Sequence, residues 1–332
     1  MRIIFFGSPR EAVGALESLI SAGHELAAVY TRPDRPAGRG RMKAPTPVKV
    51  FAEEQGLPVF TPAGFRKGPH ERDQMIAAKA DVFVVVAYGR ILPADILQVP
   101  PMGVVNVHPS LLPAYRGPSP VAAAILDGQT HTGVTVMLLD EGMDTGPLLA
   151  QSPPIMLTGR ERADEVQQLL FKEGAAMLPA VLYGLQKGTI VPAPQDESKA
   201  TVTRLLDRSD GEIDWSLSAE QIDRMVRAYD PWPGTFTSWD GRGLKILDVE
   251  VHRGAGAGPA AELLPAAGSW PDSHSTRGPG KVIVEDRRLF VGTGTDPVEI
   301  ARLQLEGRQG VSADDFLRGQ PGIDGTTLGD ES

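Results

Sequence analysis

Two polar side chains at the end of an apolar run are the first residues able to do chemistry. Asn106 and His108 lie two positions apart in the run Val104–His108, which is typical of a buried strand. Strand side chains alternate between faces, so both should point to one spot. Pro109 lacks a backbone donor and turns the chain out of the sheet. A lone histidine is more often a satisfied core residue, but an amide and an imidazole that converge at a strand end indicate a site.

A carboxylate is expected to join them from the loop that follows the next strand. Asp144 is flanked there by Gly142 and Gly146, which allow sharp turns that bring its side chain back to His108. Parallel strands present ligands beyond their carboxyl ends, where this loop should lie. The competing carboxylates in the loop are Asp140 and Glu141.

The predicted trio suits addition to a carbonyl group. The Asn106 amide and a protonated His108 would donate to an oxygen that becomes an anion, and each such donor contributes roughly 10²–10³ in rate. Asp144 would favour the imidazolium and accept a proton from an attacking amine, directly or through water. Ser110 is the rival nucleophile, but it is too close in sequence to His108 and is flanked by residues that suit the edge of a pocket.

The elements needed to position this trio alternate along the first half of the chain, which predicts an α/β fold with a doubly wound, mainly parallel sheet. The expected strands are 2–6, 24–31, 57–61, 81–88, 103–108 and 133–139, and the expected helices are 10–22, 48–55, 70–79, 120–126 and 161–187. Ser8 is expected to cap the first helix and Pro179 to kink or divide the last. The turn Gly7-Ser8-Pro9 lacks the glycines of a dinucleotide fingerprint, which disfavours a nicotinamide oxidoreductase.

The second half has a different pattern, with short strands at 235–239, 244–251, 281–285, 288–292 and 298–304 that predict a small OB-like β-barrel. We therefore expect an N-terminal domain at 1–188, a linker at 189–206, a C-terminal domain at 207–318 and a disordered tail at 319–332. Residues 254–280, rich in Gly, Ala and Pro, are expected to form a surface loop.

Composition narrows the classes of function. The chain has 332 residues, 41% hydrophobic and 23% charged, which is globular composition. It has no cysteine, which excludes disulfides, thiolate nucleophiles and cysteine-based metal sites. No signal peptide or membrane-spanning run is visible, so we expect a soluble, cytoplasmic monomer with no metal.

Charge is distributed unevenly along the chain. The net charge is −9, yet the segment 32–43 carries five positive side chains and one negative. A polyanion could bind there, although a solvated loop kept from regular structure by Gly and Pro is an equal alternative. Residues 205–318 hold 13 basic and 19 acidic side chains, a balance of 13 − 19 = −6, which is unexpected for a module that binds nucleic acid.

Two motifs resemble the signatures of the folate-dependent formyltransferases. They are Asn106-x-His108-x-Ser110-Leu-Leu-Pro113, with Tyr115-Arg116-Gly117 after it, and Asp140-x-Gly142-x-Asp144-Thr145-Gly146. Further matches are Pro33-Asp34-Arg35-Pro36-Ala37-Gly38-Arg39-Gly40, Val85-Val86-Ala87-Tyr88-Gly89, Ile213-Asp214-Trp215 and Pro231-Trp232-Pro233-Gly234. The resemblance runs from about Arg2 to Gly319 and is closest to members that act on methionyl-tRNA.

The resemblance implies that 10-formyltetrahydrofolate donates a formyl group to the α-amine of methionyl-initiator tRNA. It implies that Asn106 and His108 stabilise a tetrahedral intermediate while Asp144 orients His108 and manages protons. The residues implied for the folate site are Ser110, Leu111, Leu112 and Pro113, with Tyr88 and Gly89. Those implied to contact the tRNA are Arg35, Arg39, Arg41 and Lys43, and the C-terminal domain would add further tRNA surface.

Two other functions stay open from the sequence. One is a formyltransferase acting on a small amine such as an amino sugar or glycinamide nucleotide, which would have no need of the basic segment 32–43. The other is a paralogue that binds folate or tRNA without turnover, which the intact set of Asn106, His108 and Asp144 disfavours.

Overall fold

A seven-stranded, mainly parallel sheet carries the site residues in this computed structural model, which describes residues 1–37, 42–65, 70–252 and 278–329. The chain divides into two compact units. The first comprises residues 1–121, 130–157 and 165–204, and the second comprises residues 122–129, 158–164 and 205–332. No helix in the described ranges has both the length and the apolar character needed to cross a membrane.

The first half of the chain contains the six strands and five helices that the sequence predicts, together with five further strands and one further short helix. Its strands are β1 (Arg2–Gly7), β2 (Glu25–Tyr30), β3 (Arg35–Ala37), β4 (Met42–Ala44), β5 (Val59–Phe60), β6 (Val82–Val86), β7 (Val104–His108), β8 (His131–Thr132), β9 (Thr135–Leu138), β10 (Leu148–Gln151) and β11 (Ile155–Met156). Its helices are α1 (Val13–Ser21), α2 (Pro47–Glu54), α3 (His70–Ala77), α4 (Ala94–Leu97), α5 (Pro120–Leu126) and α6 (Ala163–Lys187).

The main sheet has the order β10-β9-β7-β6-β1-β2-β5. All neighbouring pairs are parallel except β7 with β9 and β9 with β10. Every residue of β6 is buried, as expected for a strand covered on both faces. β7 lies between β6 and β9, so its carboxyl end is held from both sides.

Helix α6 packs closely behind β7. A Cβ atom added at Gly174 would lie 2.4 Å from Cγ1 of Val107, so only glycine permits this approach. Pro179 lies inside the helix, but α6 is continuous to Lys187, with Leu178 and Val181 buried on either side. The expected division of the helix at Pro179 is therefore absent, because burial of its apolar face favours the helix beyond the proline.

The basic segment 32–43 differs from the expected irregular loop. β3 and β4 form an antiparallel pair in which Arg35 faces Ala44 and Pro36 faces Lys43. This pair is a separate two-stranded sheet, where a proline can occupy an edge strand without breaking a central ladder. We refer to β3 and β4 as the basic hairpin.

The second unit contains an antiparallel sheet with the order β12-β13-β16-β15-β14, and β17 pairs with β16. Its elements are α7 (Ala219–Ala228), β12 (Thr235–Trp239), β13 (Arg242–Val251), β14 (Val282–Glu285), β15 (Arg288–Val291), β16 (Val298–Leu305), β17 (Val311–Ser312) and α8 (Ala313–Gly319). The predicted fold class, a mainly parallel α/β sheet followed by a small antiparallel β domain, is confirmed.

The end of the chain differs from the disordered tail predicted for 319–332. Ile323 and Leu328 are buried in the core of the second unit, and Thr327 forms a β-bridge with Lys281. Two apolar side chains therefore hold the described residues as far as Gly329 against the domain. The predicted domain boundaries at 188/189 and 206/207 stay predictions.

Candidate active site

The two polar residues of β7 lie in the middle of the main sheet. Asn106 is registered between Val85 of β6 and Met137 of β9. His108 is buried, whereas Asn106 is half-buried. No residue in the described ranges hydrogen-bonds to the Asn106 amide, which leaves it able to donate to a bound molecule.

Asp144 lies beside His108. Its Oδ2 is 3.6 Å from Nδ1 of His108, and it accepts a hydrogen bond of 2.8 Å from the backbone N–H of Gly117. Asp144 itself has φ = 54°, in the left-handed region. A Cβ at Gly146 would lie 1.9 Å from the Leu138 carbonyl oxygen, so the turn requires glycine there.

The other nitrogen of His108 has a fixed partner. Nε2 lies 2.9 Å from the carbonyl oxygen of Tyr115, and a carbonyl only accepts, so Nε2 carries the hydrogen. Nδ1 is therefore the nitrogen left for chemistry. Burial lowers the pKa of His108, while the Asp144 charge and the Tyr115 carbonyl oppose that shift. The lowered pKa favours the neutral form of the imidazole.

Neither rival carboxylate takes the position of Asp144. Asp140 accepts hydrogen bonds from the Gly142 backbone N–H (3.0 Å) and the Thr145 hydroxyl (2.7 Å). These bonds hold Asp140 within its own loop, and Glu141 is exposed. Asp144 is the carboxylate that reaches the imidazole.

The loop expected to bind folate is held by internal hydrogen bonds. Ser110 is 1% exposed, and its hydroxyl donates to the Ala114 carbonyl at 2.7 Å. The Leu112 backbone N–H donates to the Thr135 hydroxyl, which in turn donates to the Ser110 carbonyl. Leu112 is buried, whereas Leu111 and Pro113 are half-buried. The Ser110 hydroxyl thus shapes the loop and is not poised as a nucleophile.

Tyr88 and Gly89 begin the loop that follows β6. The Tyr88 ring packs edge-on against Phe6 and is buried, and burial raises the pKa of its hydroxyl to about 12. Its carbonyl accepts a hydrogen bond from Ser8, so Ser8 is occupied here and does not cap α1. The Gly89 carbonyl accepts from the guanidinium of Arg32. This loop is anchored by its backbone.

Two of the four expected tRNA contacts fall on the basic hairpin. Arg35 is exposed on β3, and Lys43 lies on β4. Arg39 and Arg41 lie outside the described residues. At the base of the hairpin, Asp34 pairs with Lys49 of α2 at 3.0 Å. The one acidic group of this basic segment is thus already paired with a cation.

Gln195, to which the sequence analysis assigned no role, contacts the Asp144 loop, and Arg116 holds Gln195. Gln195 donates through Nε2 to the carbonyl oxygens of Asp144 (2.8 Å) and Gly146 (2.7 Å). Arg116, within a quoted motif but given no role, donates through Nε to Oε1 of Gln195 at 3.0 Å. Nothing in the local sequence around Gln195 signals these contacts, which join residues about 50 positions apart.

Potential metal ligands meet in the second unit. Ligand atoms of Glu250, His252 and Glu299 lie within 4.8 Å of one another. Arg288, however, donates to the Glu299 carboxylate and holds the pKa of Glu299 at about 2 together with His252, against the opposing effect of burial. The Arg288 guanidinium therefore already supplies the positive charge that a metal ion would bring to these carboxylates.

Comparisons with known proteins place the chain in a family. A protein-family model described as "Formyl transferase" matches residues 1–182. A second family model, described as "Formyl transferase, C-terminal domain", matches residues 205–321. A methionyl-tRNA formyltransferase of Chloroflexus aurantiacus is 46% identical over 96% of this chain and 97% of its own length. One from Dehalococcoides mccartyi is 40% identical over 99% of both chains.

Solved structures share the fold at lower identity. An N-formyltransferase from Helicobacter canadensis, in complex with folinic acid and dTDP-3-aminofucose, superposes with a TM-score of 0.62 at 15% identity, over 90% of this chain and 98% of its own. HypX from Aquifex aeolicus in complex with tetrahydrofolic acid gives 0.58 at 17% identity, over 98% of this chain and 48% of its own. From the family models and the closely similar relatives, the chain belongs to the formyltransferase family, in the branch of the methionyl-tRNA formyltransferases.

Proposed function

We propose that this enzyme transfers the formyl group of 10-formyltetrahydrofolate to the α-amine of methionyl-initiator tRNA. The observation that carries the proposal is the approach of the Asp144 carboxylate to the His108 imidazole at the carboxyl end of β7, the strand that also carries Asn106 two residues earlier. The names of relatives at 40–46% identity support the acceptor, and folate compounds bound by structural neighbours support the donor.

The first step is attack of the amine on the formyl carbon. A C–N bond forms, and the formyl oxygen becomes an anion in a tetrahedral intermediate. The Asn106 NH₂ donates to this oxygen. Such a donor is effective because it is oriented before the reaction, by a strand held between two neighbours.

The proton of the attacking amine goes next to the His108 and Asp144 pair. Nδ1 of neutral His108 has the free lone pair, because Nε2–H is bonded to the Tyr115 carbonyl. The imidazolium that forms is stabilised by Asp144 and lies next to the anionic oxygen. Asp144 takes the proton from the attacking amine, directly or through water, and passes it to Nδ1 of His108.

Collapse of the intermediate completes the transfer. The C–N bond to the folate N10 breaks, the oxygen returns to a carbonyl, and the imidazolium gives its proton to N10. The products are formyl-methionyl-tRNA and tetrahydrofolate, and His108 is neutral again. A buried imidazole with a lowered pKa suits this cycle, because it releases the proton readily.

The basic hairpin supports a nucleic-acid acceptor. Arg35 is exposed there, and Asp34 is neutralised by Lys49. Phosphate groups of an acceptor stem would be attracted to this segment, together with Arg39, Arg41 and Lys43 of the same stretch. We further propose that the enzyme acts as a cytoplasmic monomer without a metal cofactor.

Incubation with 10-formyltetrahydrofolate and methionyl-initiator tRNA tests the proposal. We expect formyl-methionine after release from the tRNA, and no product with an amino-sugar nucleotide or glycinamide nucleotide. Formylation of a small amine in place of the tRNA would overturn the choice of acceptor. Binding of folate with no transfer to any acceptor would identify a non-catalytic relative.

A further inference from the structure

Gln195 contacts the loop that carries the proposed acid group. Its single NH₂ group spans two carbonyl oxygens, those of Asp144 at 2.8 Å and Gly146 at 2.7 Å. These are the residues on either side of the turn that directs the Asp144 carboxylate to His108. A side chain from a distant segment therefore fixes the backbone that aims this carboxylate.

Arg116 fixes Gln195 in turn. Its Nε donates to Oε1 of Gln195 at 3.0 Å, which determines the orientation of the amide and directs its NH₂ to the two carbonyls. Its remaining nitrogens donate to both oxygens of Glu197, at 2.9 and 2.6 Å. Arg116 is 4% exposed, so all these bonds converge on a buried guanidinium.

The backbone around Arg116 reaches the other members of the site. The Tyr115 carbonyl accepts from His108, and the Gly117 N–H donates to Asp144. Arg116 itself exchanges backbone hydrogen bonds with Thr201 (2.8 Å) and Thr203 (2.7 Å). One short stretch thus holds the imidazole on one side and the carboxylate on the other.

We propose that Gln195, held by the Arg116 guanidinium, is a positioning residue for the transfer reaction. The inference rests on the proposed function, because it gives Gln195 a role only through Asp144.

Three variants separate positioning from ordinary stability. Gln195→Met keeps the length of the side chain and removes every hydrogen bond. Gln195→Glu keeps the acceptor for Arg116 and replaces the two donors by an oxygen that repels the Asp144 and Gly146 carbonyls. Ser198→Ala is the matched control, since the Ser198 hydroxyl lies three residues from Gln195 but, among the described residues, bonds to Asp196 and not to the Asp144 loop.

We expect both Gln195 variants to lower kcat about tenfold or more, because a small misplacement of a reacting group is costly. KM for methionyl-initiator tRNA should stay within about twofold, since the contacts removed do not bind substrate. The Gln195→Glu enzyme should recover in part as pH falls, because a protonated carboxyl again donates to one carbonyl. Ser198→Ala should match the parent enzyme in both constants.

A spectroscopic readout reports directly on the geometry. The Asp144 charge raises the pKa of His108 against burial, so withdrawal of the carboxylate should lower that pKa further. The other charged groups in or near this loop include Asp140, Glu141 and Arg116 with its partner Glu197. NMR titration of His108 should show a lower pKa in Gln195→Met and the parent value in Ser198→Ala.

Failure of this inference is distinguishable from failure of the proposed function. If Asp144→Asn keeps the parent rate, the proposed function is wrong. If Asp144→Asn is inactive while Gln195→Met keeps the parent kcat and the parent His108 pKa, only the positioning role of Gln195 is overturned. An equal fall in kcat in Gln195→Met and Ser198→Ala would also overturn it, because the effect would then not be specific to the Gln195 amide.

Discussion

The Nε2 of His108 lies 2.9 Å from the carbonyl oxygen of Tyr115. This bond fixes the hydrogen on Nε2 and leaves Nδ1 directed at Asp144, 3.6 Å away. An imidazole with both nitrogens assigned in this way has one orientation and one reactive atom.

His108 should titrate below its usual value. Burial is the main cause of the lowered pKa, and Asp144 and the Tyr115 carbonyl reduce the shift without reversing it. We expect an NMR titration of the imidazole, assigned by comparison with His108→Gln, to give a pKa below about 6.5. A value above 6.5 would mean that the pair rests as an ion pair.

The same shift makes stability depend on pH. The unfolded chain binds a proton at His108 near pH 6.5, whereas the folded chain does so only at lower pH. The stability that this contributes is present above the unfolded pKa and is lost as pH falls through the folded pKa. In urea unfolding between pH 7.5 and 5, His108→Gln should lose less stability than the parent, and an equal loss would contradict the assignment.

Asn106 should contribute to rate more than to folding. Its amide has no hydrogen-bonding partner in the described ranges, so Asn106→Ala removes no native bond. We expect single-turnover transfer to fall by roughly 10²–10³, as for loss of one oxyanion donor. The urea midpoint should change little. A large loss of stability with a normal transfer rate would show that Asn106 is structural.

The basic segment 32–43 should act on tRNA binding and not on chemistry. Neutralising Arg39 and Arg41 together should raise KM for charged tRNA about tenfold or more, with a smaller effect in high salt, because phosphate contacts release counterions. Lys172→Ala, an exposed cation on α6, is the matched control and should change neither constant. An unchanged KM in the double variant would remove this segment from tRNA recognition.

Position 174 of helix α6 should tolerate no side chain, because it lies directly against Val107 of β7. Gly174→Ala would bring a Cβ to 2.4 Å from Cγ1 of Val107, and such overpacking costs about 1–3 kcal/mol. Gly14→Ala in α1 is the control, because a Cβ there meets nothing within 4 Å, and helix propensity predicts a gain of about 1 kcal/mol. Urea unfolding distinguishes the two, and destabilisation in both variants would contradict the close packing.

The sequence was sufficient for six of the seven strands of the main sheet, because strands such as β6 and β7 are apolar runs bounded by clear turn residues, but it missed β10 at the edge of that sheet. It also predicted the approach of Asp144 to His108, since glycines flank the acid and strand ends converge. Gln195 escaped prediction because its partners are 51 and 49 positions away, and no periodicity encodes that contact. The basic hairpin escaped because its ladder is only three pairs long.

The most direct test of the proposed mechanism is the single-turnover rate of Asp144→Asn with methionyl-initiator tRNA and bound 10-formyltetrahydrofolate. The geometry at His108 predicts that the rate falls by at least about 100-fold while folate binding is retained. A rate within about twofold of the parent would show that the carboxylate takes no part in the transfer.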